Sequence, residues 1–253
     1  DDGVYKARIR TGLMDLKEAA VVNLGRIAAA CAGYEEGQPA DVTSDRVPEQ
    51  DPFAPYVERT LTVMQKLTNY FHEQVRVTSL GVLRNIVLGS FQVSKRPGNM
   101  QNENQRRCAH IVSIVLPMFV HRMNKDFHRE VAAVSVESVD AIVSELGSGC
   151  VENLLDPLAQ QLLLFLQGNA ACQEVQDDLD DEDDENGEGE DHDFVLMDSV
   201  TDLVGTLARA FGSRFVNHAQ PLLEPLGRFL APNRPHTDRS MAIGCYGELV
   251  QGM

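Results

Sequence analysis

Few residues in this chain stand at the spacings that chemistry requires. His72-Glu73-Gln74-Val75-Arg76 opens like the two-histidine zinc helix of a metalloprotease, but Arg76 occupies the second ligand position, and a guanidinium cannot hold Zn2+. The stretch is expected at an exposed turn between helices instead. Glu182, Asp184, Asn186 and Gly187 match part of a calcium loop. Position one is Glu rather than Asp, and Asp193 stands where a bidentate Glu should close the loop, so no dedicated calcium site is expected. Gly187-Glu188-Gly189 has no third glycine and lies among anions, which excludes a phosphate cradle. There is no Gly-x-Ser-x-Gly elbow. His121 and His128 lie seven residues apart across an expected turn, with no thiol or carboxylate set to complete a site. No cofactor, no metal and no catalytic constellation are expected.

What remains is charge. Asp and Glu number 38 against 22 Lys and Arg, a formal net charge of -16. The excess belongs to one place: residues 174–193 hold 13 acids and no Lys or Arg, and the rest of the chain carries 25 acids against 22 bases. A run of like charges repels itself and buries nothing, so the segment 173–193 is expected to be disordered. Its carboxylates Asp177, Asp178, Asp180, Asp181, Glu182, Asp183, Asp184 and Glu185 are candidates for attracting a basic partner. A chain this acidic is not expected to bind a phosphate backbone through its net field. It has no Trp and only 6% aromatics, which argues against stacking on single-stranded nucleic acid. The longest apolar run, residues 109–120, contains Ser113 and Pro117 and falls short of the roughly 20 residues of a membrane span. The chain opens Asp1-Asp2 without a basic-then-apolar leader, so no signal peptide is expected and the sequence reads as a segment of something longer. The cysteines at 31, 108, 150, 172 and 245 are odd in number and widely spaced, which suits thiols in a reducing compartment.

The elements that would position these charges are helices. Apolar residues at p, p+3 and p+7 mark one helix face. The pattern is met at Leu24, Ile27, Cys31; at Leu80, Leu83, Val87; at Val136, Val139, Val143; at Val204, Leu207, Phe211; and at Ile243, Tyr246, Val250. Position p+1 is Gly25, Gly81, Glu137, Gly205 and Gly244. Glycine costs about 1 kcal/mol in a helix, so its recurrence predicts close approach of a neighbouring helix. The units are 56, 56, 68 and 39 residues apart, the shortest step being close to the roughly 40–47 residues of a HEAT or armadillo repeat. A second echo, Phe71-His72-Glu73-Gln74-Val75 against Phe127-His128-Arg129-Glu130-Val131, has the same 56-residue offset. Partner helices are expected near 53–70, 103–124, 151–167 and 215–230. Pro55 and Pro221 suit first helical turns, and Pro117 should kink its helix. Loops are expected at 34–52 and 91–104. The predicted fold is all-α: one solenoid over residues 1–253, a right-handed superhelix of about four and a half HEAT repeats built from antiparallel pairs.

Stacked pairs present an extended binding surface. If the recurring helices line it, the side chains off their core stripe face a ligand. These candidates are Asn85, Asp202 and Glu248, with Glu137, Asp140 and Glu145 nearby.

Several motifs then carry a resemblance. Arg10-Thr11-Gly12-Leu13-Met14-Asp15-Leu16-Lys17-Glu18-Ala19-Ala20, followed by Leu24-Gly25-Arg26-Ile27-Ala28, resembles the later HEAT repeats of importin-β-type karyopherins, and of these the importin-4 branch most. Phe53-Ala54-Pro55-Tyr56-Val57-Glu58, the acidic stretch 177–190 and Ser240-Met241-Ala242-Ile243-Gly244 follow in the family's order. Leu16 replaces a common Glu, and the 34–52 link is longer than is usual there. The resemblance implies a nuclear import receptor that shuttles between cytoplasm and nucleus with basic cargo such as core histones and ribosomal proteins. It also implies regulation by Ran GTPase, whose main site would lie outside this chain, and contact with Phe-Gly nucleoporins. A monomer is expected, with no direct nucleic-acid or membrane contact. The competing reading is a HEAT scaffold for a multiprotein complex such as a phosphatase; uneven steps and an acidic insertion favour the receptor.

Overall fold

The computed structural model describes residues 11–35, 37, 46–174 and 188–253. Among them the chain is all-α and forms helices α1 (Thr11–Ala32), α2 (Val57–Leu67), α3 (Glu73–Lys95), α4 (Gln101–Lys125), α5 (Arg129–Leu146), α6 (Leu155–Gln167), α7 (Ala171–Glu174), α8 (Glu188–Phe211), α9 (Val216–Arg228) and α10 (His236–Gly252), with short 3-10 turns between some of them. No helix among the described residues is long and apolar enough to cross a membrane, and none of the cysteines there forms a disulfide.

The recurring helices α1, α3, α5, α8 and α10 pack each against the next and form one layer. Helices α2, α4, α6 and α9 make the second layer, each against recurring helices of the first. The pairs α2/α3, α4/α5, α6/α8 and α9/α10, with α1 leading, give a helical solenoid of four and a half pairs. One continuous apolar cluster runs between the layers from Val21 in α1 to Leu249 in α10. In the interior helices the sequence template is the core: Leu80, Leu83 and Val87, Val136, Val139 and Val143, Val204, Leu207 and Phe211 are all buried.

At the two ends the template does not mark the core. Ile27 is 54% exposed, Ile243 63% and Val250 81%. There the buried stripes are Met14, Val21, Ala28 and Ala32 in α1, and Met241, Ala242, Cys245 and Leu249 in α10. Among the described residues α1 packs against α3 and α10 against α8 and α9, and the template positions Ile27, Ile243 and Val250 lie off those contacts. The glycine rule holds in part. A Cβ on Gly25 would meet Val82 Cγ2 at 2.7 Å, and one on Gly205 would collide with Glu248, whereas Gly81 and Gly244 have nothing within 4 Å. Close approach also occurs where no repeat glycine was expected: a Cβ on Gly89 would meet the Ala32 Cβ at 2.8 Å.

Three boundaries differ from the sequence reading. The expected loop 91–104 shrinks to residues 96–100, because α3 runs to Lys95 and α4 starts at Gln101. The insertion expected to be disordered over 173–193 is helical at both margins, in α7 to Glu174 and in α8 from Glu188. Pro221 is not in a first turn but inside α9, with Pro225 one turn on.

Arg76, expected at an exposed turn, is buried, and it ties consecutive repeats together. Its Nε and Nη2 donate to the two carboxylate oxygens of Asp126 at 2.9 and 3.0 Å. Its Nη1 donates to the carbonyls of Tyr70 and Phe71. Arg122 lies 3.5 Å from the same carboxylate and donates to Asn69 Oδ1 at 2.7 Å. Buried charges persist when paired and hydrogen-bonded, and here the pairing fixes the turns before α3 and α5 relative to each other. Further polar links bind each connection to the next repeat: Gln92 donates to the Gly33 carbonyl, Asn104 to that of Glu49, and Gln161 to that of Met123.

Candidate functional site

Helices α5 and α8 run side by side in the recurring layer and place Glu137, Asp140, Asp198, Ser199 and Asp202 around one small cavity of about 200 Å³. Spacing explains the convergence. Phe194, Asp198 and Asp202 recur every four residues, so they share one face of α8. Glu137 and Asp140 are three apart on α5. Phe194 and Val195 complete the wall, with both side chains partly exposed. Helix α10 then brings Glu248 against α8, where its carboxylate meets Arg209 at 2.8 Å.

The polar contacts within the patch are few. Ser199 Oγ donates to Glu137 Oε1 at 3.2 Å and to the Val195 carbonyl at 2.8 Å as alternatives for one proton. Arg209 Nη2 donates to Thr206 Oγ1 at 2.8 Å. Burial, with the field of Glu248 added, holds the Asp140 carboxyl above the ordinary carboxylate range; a hydrogen bond from Thr206 and the Arg209 guanidinium pull the other way. Asp202 is raised too, first by burial and then by Asp198, Asp140 and Glu248, against Arg209. The Cys245 thiol is pushed up to about 12 by burial and then by Glu248 and Asp202. Negative charge is therefore crowded here beyond what Arg209 neutralises. A cation entering the cavity relieves that crowding, and the Phe194 ring offers an apolar surface to the stem of a Lys or Arg side chain.

Of the candidates read from sequence, Glu137, Asp140, Asp202 and Glu248 meet in this patch. Asn85 lies on the neighbouring α3, its Oδ1 buried and without a hydrogen-bond partner. Glu145 does not join them: it is exposed near the end of α5, 3.5 Å from Lys95. The candidates at 177–185 lie outside the described residues. Asp198, Ser199 and Phe194 escaped the sequence reading, although the four-residue spacing from Asp202 back to Asp198 was there to find them. Among the described residues, no group of three His, Cys, Asp or Glu is placed to hold a metal ion.

No protein-family model matches the chain, and no curated protein is significantly similar to it. Among solved structures, an engineered protein determined by the Northeast Structural Genomics Consortium is similar over 94% of this chain and 92% of its own, at 12% identity and a TM-score of 0.40. A likeness at that level carries no argument about family or function.

Proposed function

We propose that this chain is a binding segment without covalent chemistry, which docks a basic protein or peptide on the α5–α8–α10 patch. One observation carries the reading: Glu137 and Asp140 of α5 and Asp198 and Asp202 of α8, distant in sequence, line one small cavity with Glu248 of α10 close by, and the ionisation of Asp140 and Asp202 is held back by burial and by neighbouring acids. Opposite charge at such a site raises encounter rates and sets register more than it adds raw affinity. The acidic run 174–193, which reaches into the start of α8 in sequence, adds 13 carboxylates whose field would reach about a Debye length, ~8 Å at physiological salt.

Within that reading we favour a nuclear transport receptor that carries basic cargo such as core histones or ribosomal proteins, under the control of Ran GTPase and with contacts to Phe-Gly nucleoporins. The sequence motifs support it, and a long helical-repeat surface with an acidic patch is consistent with it. The experiment is retention of the chain on immobilised core-histone tails, with and without Ran loaded with GTP. The receptor reading expects retention that Asp140→Asn/Asp202→Asn weakens and that Ran–GTP reduces once the repeats bearing its main site are present. Retention indifferent to Ran–GTP in that longer protein would leave a basic-peptide scaffold and remove the transport reading.

A further inference from the structure

A second cavity lies in the other helix layer and is the chemical opposite of the acidic patch. It is an open pocket of about 510 Å³ between the end of α3, the first two thirds of α4 and the turn from α5 to α6. That is within the roughly 300–1,000 Å³ of small-molecule sites. Phe91, Val112, Leu116, Leu146 and Leu154 supply the apolar walls. Among the described residues no charged or imidazole side chain lines it. Lys95 lies over the Phe91 ring at 4.0 Å but is not part of the lining. The two sulfur groups that do line it, Cys108 and Cys150, are neutral thiols, each pushed up to about 11, by burial above all.

Two residues bear on the space and on the acceptor at its wall. Gly149 contributes no side chain, and a Cβ there would meet nothing within 4 Å. Pro117 stands inside α4 and has no N–H to give the carbonyl of Ser113, one turn back. Ser113 and Pro117 both line the cavity. Ser113, whose carbonyl is deprived of its α-helical donor, therefore stands in an uncharged lining that also holds the polar side chains of Ser94, Gln105 and Asn153. The Ser113 hydroxyl does not compensate, because it donates to the His110 carbonyl at 2.7 Å.

We propose that this cavity binds an uncharged aromatic small molecule bearing one hydrogen-bond donor. The ring lies among Val112, Leu116 and Leu154, where Phe91 offers an aromatic neighbour, and the donor meets the Ser113 carbonyl. A charged ligand would lose its hydration here and gain no counter-charge. A ligand without a donor would cover the carbonyl and leave it unmatched. The site is separate from the basic-peptide patch and stands or falls independently of it.

The probe is 2-naphthol, a rigid ring system with one O–H. The chain contains no Trp, so naphthol fluorescence anisotropy can be followed without interference. Saturable binding to one site is expected. The donor-free 2-methoxynaphthalene should bind about five- to tenfold more weakly, the effect of one lost hydrogen bond. Pro117→Ala returns an N–H to the Ser113 carbonyl and should erase that difference. Ala109→Phe, at an exposed lining position, and Gly149→Val fill the space and should each abolish 2-naphthol binding while circular dichroism shows the helices intact. The proposal is overturned if 2-naphthol does not saturate, if its binding survives both filling variants, or if the two compounds bind the original protein equally. Discrimination that persists in Pro117→Ala would equally overturn it, since the carbonyl would not be the group read.

Discussion

At the residue scale the account turns on Asp140. A carboxyl whose pKa is raised in the fold holds its proton more readily there than in the unfolded chain. Its ionisation then costs stability. The cost is absent while Asp140 is protonated in both states. It grows as pH rises from the ordinary aspartate value of about 3.9 to the raised folded value, and is constant above that. Asp140→Asn removes the cost, so the variant should melt at a higher temperature than the original protein at pH 7, with a difference that shrinks toward pH 4. Paired thermal melts at the two pH values check this; equal melting temperatures at pH 7 would contradict the burial and the Glu248 field that raise Asp140. The same substitution should weaken basic-peptide binding, a trade of function for stability. The buried arginine tells the opposite story. Asp126 accepts from Arg76 and faces Arg122. Asp126→Asn leaves two buried guanidiniums without a counter-charge and should cost about 3–5 kcal/mol in urea unfolding. A loss below about 1 kcal/mol would show that the pairing is not what joins the two turns. None of this was legible in the sequence, where Arg76 appeared only as the residue that spoils a zinc motif. A local pattern cannot reveal a partner 50 positions away.

At the element scale the glycines separate two causes that the sequence pattern merges. Gly25 and Gly81 occupy the same register position. A Cβ on Gly25 meets a methyl of Val82 at 2.7 Å, and a β-branched side chain inside a helix has little rotamer freedom to move aside. Gly25→Ala should therefore destabilise by about 1–3 kcal/mol. At Gly81 the added methyl meets nothing, and the gain in helix propensity should stabilise by about 0.5–1 kcal/mol. Chemical denaturation of the two variants decides, and effects of the same sign would refute the packing assignment. The interior repeats were readable from apolar spacing because Leu80, Val136 and Val204 have helices on every side that the pattern implies. The end repeats were not, since spacing identifies an apolar face but not which neighbours are there to cover it. The same limit applied to the site. Register placed Glu137, Asp140 and Asp202 on the ligand side, but only the packing of α5 against α8 showed that they share one cavity, and that Glu145 belongs elsewhere.

At the scale of the whole molecule, the described solenoid exposes apolar side chains on its first and last helices and carries an acidic patch between them. Leu13, Leu16 and Ile27 are exposed on α1, and Ile243 and Val250 on α10. Repeat arrays are solubilised by polar capping faces, and these faces are apolar. Ile243→Gln/Val250→Gln should leave the melting temperature unchanged and reduce self-association at high concentration, as read by static light scattering. A drop of several degrees would mean that the two side chains are packed rather than exposed. The central claim is that the patch on α5, α8 and α10 receives a basic segment. It is tested most directly by titrating a fluorescently labelled Lys/Arg-rich peptide into the original protein and into Asp140→Asn/Asp198→Asn/Asp202→Asn, at low and at physiological salt, with the acidic segment 174–193 intact in both. The account predicts at least a tenfold loss of affinity in the variant at low salt, a smaller loss at physiological salt, and a shallower salt dependence than the original protein shows. Equal affinities and equal salt slopes for the two proteins would contradict it, and would leave any attraction of basic peptides to the acidic segment alone.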